Sequence, residues 1–308
     1  MTVAAPPRVA ARIAVPNRRT KPRRTIGRWL LELNAIVSYA FLYIPILVLV
    51  FYSFNASKFN AVWRGFTLDW YKSLFAGGGV LGLYGQGAEG EALTFQGAGI
   101  LKALQNSMVV AVAATAISTV IGTMTALAME RFQFRLRSLF DIVLHLPVVI
   151  PEITMGISLL VFFNLGFRLL ENLTGVRAAL GFGTIIISHV AFNISFVAIV
   201  VRARLAGMDP ALEQAAQDLG ANPWQTFRRI TLPLIMPGVI AGALLAFTLS
   251  MDDFVITFFT SGVGSSTLPL FVYGMIRFTV TPAINAISSL MLLASMVLVI
   301  GAIGLERR

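Results

Sequence analysis

The sequence predicts an all-α integral membrane protein with six transmembrane helices and both termini in the cytoplasm. Three observations carry that expectation. Of the 308 residues, 57% are hydrophobic and only 12% charged, about half the charged fraction of a soluble domain. Six apolar stretches reach the roughly 20 residues that a bilayer requires. With the termini inside, 17 of the 24 Lys and Arg fall on the cytoplasmic side, as the positive-inside rule asks. Eight of these lie in the first 28 residues and the rest flank apolar runs. The net charge of +10 therefore points to membrane lipid as a partner and not to nucleic acid.

In chain order, residues 1–28 are Pro- and Arg-rich and are expected to form a disordered basic cytoplasmic tail that serves as an orientation signal. Residues 34–54 form the first helix. That stretch exceeds the about 7–15 residues of a signal-peptide core, and Ser53-Phe54-Asn55 is a poor cleavage site, so the segment is retained. An external loop covers 55–102. Its first part, Trp63 to Phe75, mixes aromatic and polar residues and is expected to give a short interfacial helix. Its second part, Gly77 to Gly99, holds nine glycines in 23 residues; that density disfavours any regular element, so a flexible excursion is expected. The core, 103–305, supplies five further helices at 103–128, 138–164, 181–203, 234–259 and 283–305. Pro147, Pro151 and Pro237 interrupt the third and fifth spans, which a bundle tolerates when neighbours satisfy the freed carbonyls.

The cytoplasmic loop 204–233 is the most informative segment. Asp209-Pro210 reads as an N-cap with proline at the first helical position, followed by a helix that ends at Gly220. Asn222, Pro223 and Gln225 then form a second start of capping-box type, and Arg228 and Arg229 suit that helix's last turn before Pro233. The result is a helix–Gly–helix elbow. Ala215 and Ala216 flatten one side of it and permit close approach of another protein.

Ionisable residues inside a membrane are functional candidates by default. Asp141 lies within a turn of the boundary and is expected to be solvated or paired with a loop arginine; His145 and His189 are expected to be hydrogen-bonded packing groups. Glu152 and the Asp252-Asp253 pair differ. At 1.5 Å per residue they sit roughly 21 and 27 Å from the cytoplasmic entry of their spans, in the outer half of the membrane. Adjacent helical residues diverge by about 100°, so one aspartate faces a pathway while the other pairs or caps locally. Carboxylates without Lys or Arg in the same spans invite a cation.

Enzymatic chemistry finds no support. The chain has no cysteine, no Gly-x-Ser-Gly, no His-Glu-x-x-His and no G-x-x-x-x-G-K-[ST] loop. No catalytic residues, metal ligands or cofactor of its own are expected, and ATP would have to be bound by a separate chain.

The elbow resembles the EAA loop of ABC-importer permeases: Gln214-Ala215-Ala216, then Gly220, then Ile230-Thr231-Leu232-Pro233, with glutamine where the pattern has glutamate and Glu213 just before it. The resemblance implies the ABC-importer permease fold, a bacterial inner-membrane location, and coupling to a cytoplasmic ATP-binding subunit dimer through Glu213, Gln214, Ala215, Ala216, Asp218 and Gly220. The segments 250–262 (SMDDFVITFFTSG) and 267–286 resemble the permeases of spermidine/putrescine importers. This implies polyamine uptake with a homologous second permease and an extracytoplasmic solute-binding protein, and a substrate pathway that includes Asp252, Asp253, Glu152, Ser250 and Tyr273. Trp63, Trp70, Tyr71, Phe258 and Phe259 are further aromatics suited to a polyammonium chain. The alternatives are a permease for another small solute, or an ATP-independent secondary transporter or channel.

Overall fold

The computed structural model describes residues 26–57, 62–75, 88–277 and 282–306. The basic tail up to Thr25, residues 77–87 of the Gly-rich stretch, and Arg307-Arg308 lie outside the described residues. Among the described residues the fold is helical, with one isolated antiparallel bridge between Asn55 and Phe66.

Two units are distinguished, Met1–Val48 and Leu49–Arg308. The first contains most of α1 (Ile26–Tyr52), a 27-residue apolar helix with Pro45 inside it. The helix begins eight residues before the expected start of the span.

The second unit is built on α3 (Ala88–Arg131), α6 (Phe182–Ala206) and α9 (Leu232–Asp252), which pack on one another. Close packing follows from small residues at helical spacing. Ala111, Ala114, Ser118 and Ala126 of α3 are fully buried, and a Cβ on Gly122 would stand 2.7 Å from Cβ of Val197. Small residues are what let helices approach where lipid offers no hydrophobic drive. Val197, Val201, Ile235 and Ala246 complete this core. A second cluster joins α2 (Asp69–Phe75), α3, α11 (Leu268–Ile276) and α12 (Pro282–Glu306) through Trp70, Ile100, Ala103, Leu268, Ala286 and Ile287.

Among the described residues, five helices are long and apolar enough to cross a membrane: Trp29–Tyr52, Gly99–Arg131, Glu152–Thr174, Phe182–Ala206 and Pro223–Asp252. The 25-residue α12, with its apolar run Ile284–Val297, is the sixth long helix.

Three expectations change. The stretch 138–164 is not one helix but two, α4 (Arg137–Val149) and α5 (Glu152–Thr174). Pro151 lacks an N–H and drives Ile150 out of the helical region, to φ −70° and ψ 135°. At 13 residues, about 20 Å, α4 is too short to span, so α5 is the membrane-length element. The expected fifth span also breaks: α9 ends at Asp252, Asp253 is extended, and α10 (Val255–Thr260) restarts the helix. Finally, α3 begins at Ala88, so the second half of the Gly-rich stretch is helical rather than irregular. Its glycines there, at 90, 97 and 99, are spaced among Ala, Glu, Leu and Gln, good helix formers that carry the helix on from the membrane span. In the 55–75 loop the helix is confined to α2. Before it, the buried Asn55 organises the turn, its Oδ1 accepting from the N–H of Ser57 and Arg64 and its Nδ2 donating to the carbonyl of Val62.

Candidate functional site

The break at the end of α9 is where the predicted pathway residues separate into two kinds. The Asp253 carboxylate accepts from the N–H groups of Ile256 (3.2 Å) and Thr257 (2.8 Å) and from the Thr257 hydroxyl (2.8 Å). Nε2 of the buried His189 on α6 stands 3.2 Å from the same carboxylate and 3.0 Å from Oγ1 of Thr257. A short polar side chain that offers the backbone a cap competes with the continuing helix; here Asp253 caps α10 and thereby ends α9. Asp252, one residue earlier, is exposed, and its carboxylate has no hydrogen bond or ion pair among the described residues.

Ser250 is buried and accepts a 2.8 Å hydrogen bond from Nδ2 of Asn193. It fastens α9 to α6, a packing position and not an exposed one. Tyr273 is half exposed and its ring lies 4.7 Å from that of Phe254, which comes directly after the aspartates. Glu152 occupies the first turn of α5, exposed, also without a described partner. One turn on, Gly156 leaves room for the ring of Phe259, since a Cβ there would stand 2.6 Å from Cδ2. The first turn of α5 thus packs beside α10, and α10 in turn is tied to α6 by the Thr184 hydroxyl donating to the carbonyl of Thr260 (2.7 Å). One region around α10 therefore holds Glu152 of α5, Asp252 at the end of α9, Asp253 at the break and Tyr273 of α11. His189 Nδ1 and Asn193 Oδ1 remain buried there without a hydrogen-bond partner. Of the aromatics, Phe258 is exposed and Phe259 packs on Gly156. Trp63 stacks on Phe51 at 4.4 Å, and Trp70 is buried, its Nε1 donating to the Asn55 carbonyl.

The elbow lies at the other end of α6 and α9. The Asp209 side chain accepts from the N–H of Ala211, opening α7 (Ala211–Asp218). Gly220 closes it at φ +85°, with Ala221 N–H donating to Ala216 O and Gly220 N–H to Gln217 O, a Schellman pattern that only glycine adopts cheaply. Asn222 and Gln225 form the reciprocal capping box at 2.8 and 2.9 Å and open α8 (Pro223–Thr226). The expected stop at Pro233 does not occur. A π-helical turn, Phe227–Thr231, runs straight into α9, with Pro233 in its first turn. Leu212, Leu219 and Trp224 project from the elbow, all exposed. Gln214, Ala215 and Asp218 are exposed as well, and Ala216 is half-buried.

Glu213 differs from its neighbours. Its side chain is mostly buried, is ion-paired with Arg131 at the end of α3, and accepts from the hydroxyl of the buried Thr231. Burial pushes its carboxyl up, but the hydrogen bonds from Arg131 and Thr231 outweigh burial and hold it below the ordinary glutamate range.

Residues 118–307 match the model of the binding-protein-dependent transport system inner membrane component family. The chain belongs to this family. This inner-membrane component is 38% identical to the spermidine/putrescine transport system permease protein PotC of Escherichia coli (strain K12), over 90% of this chain and 94% of that one. It is likewise 38% identical to the putrescine transport system permease protein PotI of the same organism, over 83% of each. In three dimensions it resembles a chain of a bacterial ABC transporter involved in the import of the acidic polysaccharide alginate, with TM-score 0.68, 20% identity and coverage of 92% and 96%. It is therefore a multi-pass permease subunit of an ABC importer, with no ATPase site of its own.

In this permease Gln214 is exposed, and the ion pair of this helix turn is made one residue earlier, by Glu213 with Arg131. Arg131 and Thr231 were not legible as partners, since they lie 82 and 18 residues from Glu213. A depressed carboxyl contributes stability that is complete above the ordinary glutamate pKa and is lost as pH falls through the folded value. Glu213→Gln is expected to lower the melting temperature at neutral pH by about 2–4 °C, as loss of about 1 kcal/mol does in a chain of this size. Melting curves of both proteins taken at decreasing pH should converge once the wild-type carboxyl is protonated.

Proposed function

We propose that this permease carries polyamines, spermidine or putrescine, into the bacterial cell, driven by ATP hydrolysis in a separate cytoplasmic subunit. The observation that carries the reading is the pair of exposed carboxylates, Glu152 and Asp252, on two helices that meet at α10, with Asp253 turned away into its hydrogen bonds. A polyammonium chain needs separated anions for its charged ends and aromatic faces for its methylenes and charge; Tyr273 and Phe258 supply exposed rings close by. The names and extent of the two relatives support the same substrate class.

The reading also sets the partners. A dimer of ATP-binding subunits, which hold the ATP this chain has no P-loop to hold, grips the 204–233 elbow through Leu212, Leu219, Trp224 and the Ala215-Ala216 face. A homologous second permease completes the pathway, and an extracytoplasmic solute-binding protein delivers the polyamine. One solved relative of the same fold is in complex with a ligand-bound periplasmic protein, which supports that partner. Closure of the ATPases on ATP draws the elbows together and opens the pathway outward; hydrolysis resets it and releases the solute inward.

The test is uptake of labelled putrescine and spermidine by cells that lack their own polyamine importers and express this permease with its genomic partners. Saturable uptake of at least one amine is the expected result. A transporter that assembles and moves neither would retain the permease assignment and overturn the polyamine one.

A further inference from the structure

The last two residues of α3 carry opposite charges into different parts of the second unit. Arg131 ion-pairs with Glu213 on α7, and its guanidinium also stands 3.4 Å from Oγ1 of Thr231, which itself donates to the same carboxylate. Glu130 faces the other way: its Oε2 lies 3.8 Å from Nε of Arg202 on α6, and Arg202 is paired in turn with Asp141 on α4 at 2.5 Å. One peptide unit thus separates the fastening of the elbow from the fastening of α4 and α6.

We infer that the end of α3 is a mechanical relay in which Arg131 holds the elbow through Glu213 and Thr231 while Glu130 engages the α4–α6 pair through Arg202. The inference rests on the reading of the elbow as the ATPase-coupling element. Arg131 and Glu130 are positioning residues: neither lies among the exposed carboxylates of the pathway.

Three features favour transmission over mere attachment. The eight-residue α7 packs on α8 and the π-helical turn, elements of the elbow itself, so the Arg131 pair links it to a core helix. Thr231 is buried and closes the π-helical turn, where the N–H of Leu232 reaches back to the carbonyl of Phe227; such turns occur frequently at functional sites. On the far side, α4 leads through the Ile150-Pro151 break into Glu152, and α6 carries His189 beside Asp253. A displacement received at Glu213 thereby has a continuous path of charged pairs and rigid helices to both sides of the carboxylate region.

The experiment is a charge exchange in the complete transporter, reconstituted with its ATPase in proteoliposomes and read as polyamine taken up per ATP hydrolysed. Arg131→Glu and Glu213→Arg are each expected to lower that ratio about tenfold, within the range typical of coupling between sites. The double exchange is expected to recover it to within about threefold of wild type, since paired residues are non-additive, and Arg131→Lys to keep most of it. Single exchanges that leave the ratio unchanged, or a double exchange no better than either single one, would overturn the relay. A wild-type complex that takes up polyamine equally well with and without ATP would instead remove the elbow reading on which it rests.

Discussion

Asp252→Asn is expected to reduce polyamine uptake by about 10- to 100-fold, the worth of one charge-assisted contact, with assembly and melting temperature unchanged. The reason is geometric. The Asp252 carboxylate is exposed and engages nothing among the described residues, so the fold loses no contact when its charge is removed. Asp253→Asn should behave in the opposite manner. Its carboxylate caps α10 through Ile256 and Thr257 and meets the buried His189. Loss of such a cap and of a charged hydrogen bond costs roughly 2–4 kcal/mol. The expected signature is a lower melting temperature and less assembled permease, with the surviving protein still binding the amine. Thermal melts and uptake normalised to assembled complex separate the two. Equal effects of both substitutions on stability and transport would refute the division of roles.

Gly262→Ala is expected to damage the fold more than Gly264→Ala, although the two lie two residues apart. At Gly262 a Cβ would overlap the backbone carbonyl of Leu180, just before α6. Backbone cannot swing aside, and the surrounding loop is held by Asn106, which donates to the carbonyls of Gly264 and Ser266 at 3.3 and 2.8 Å. Overpacking of this kind costs about 1–3 kcal/mol or more. Gly264 has φ +78° but open space around it, so alanine there bears only the left-handed penalty of about 1–2 kcal/mol. Because this loop follows directly on α10, the helix that Asp253 caps, Gly262→Ala should also impair uptake. The measurement is the yield of monodisperse permease and its melting temperature; a milder effect at 262 than at 264 would contradict the packing argument.

Much of this architecture is written in local chemistry. The elbow was legible nearly residue by residue, because Asn222 with Gln225, the Asp209-Pro210 start and the Gly220 stop each act within a few residues of themselves. Hydropathy found the long apolar helices for the same reason. The two breaks were harder to see. Pro151 was visible as an interruption, yet whether a proline kinks or ends a helix depends on the packing of the segment after it, here a 23-residue apolar helix. At Asp253 no proline marks the break; a carboxylate in an apolar run with Thr257 four residues on is the signal, and it is conspicuous once the cap is known. The α3 start at Ala88 was hidden by glycine content, where residues between the glycines decide the helix. What sequence carries least is the choice of partner among distant charges: Asp141 is expected to meet a loop arginine if it is paired, but nothing local names Arg202. Arg202 with Asp141, and Arg131 with Glu213, are fixed by how four helices pack, and spacings of 61 and 82 residues leave no local trace of which residues meet.

The most direct test of the account is accumulation of labelled spermidine in proteoliposomes that hold the complete transporter, with and without ATP, set beside vesicles that hold the permeases without their ATPase. The account predicts accumulation against a gradient that requires both ATP and the ATPase. Equal movement of spermidine by the permeases alone would contradict it and identify a channel or secondary transporter.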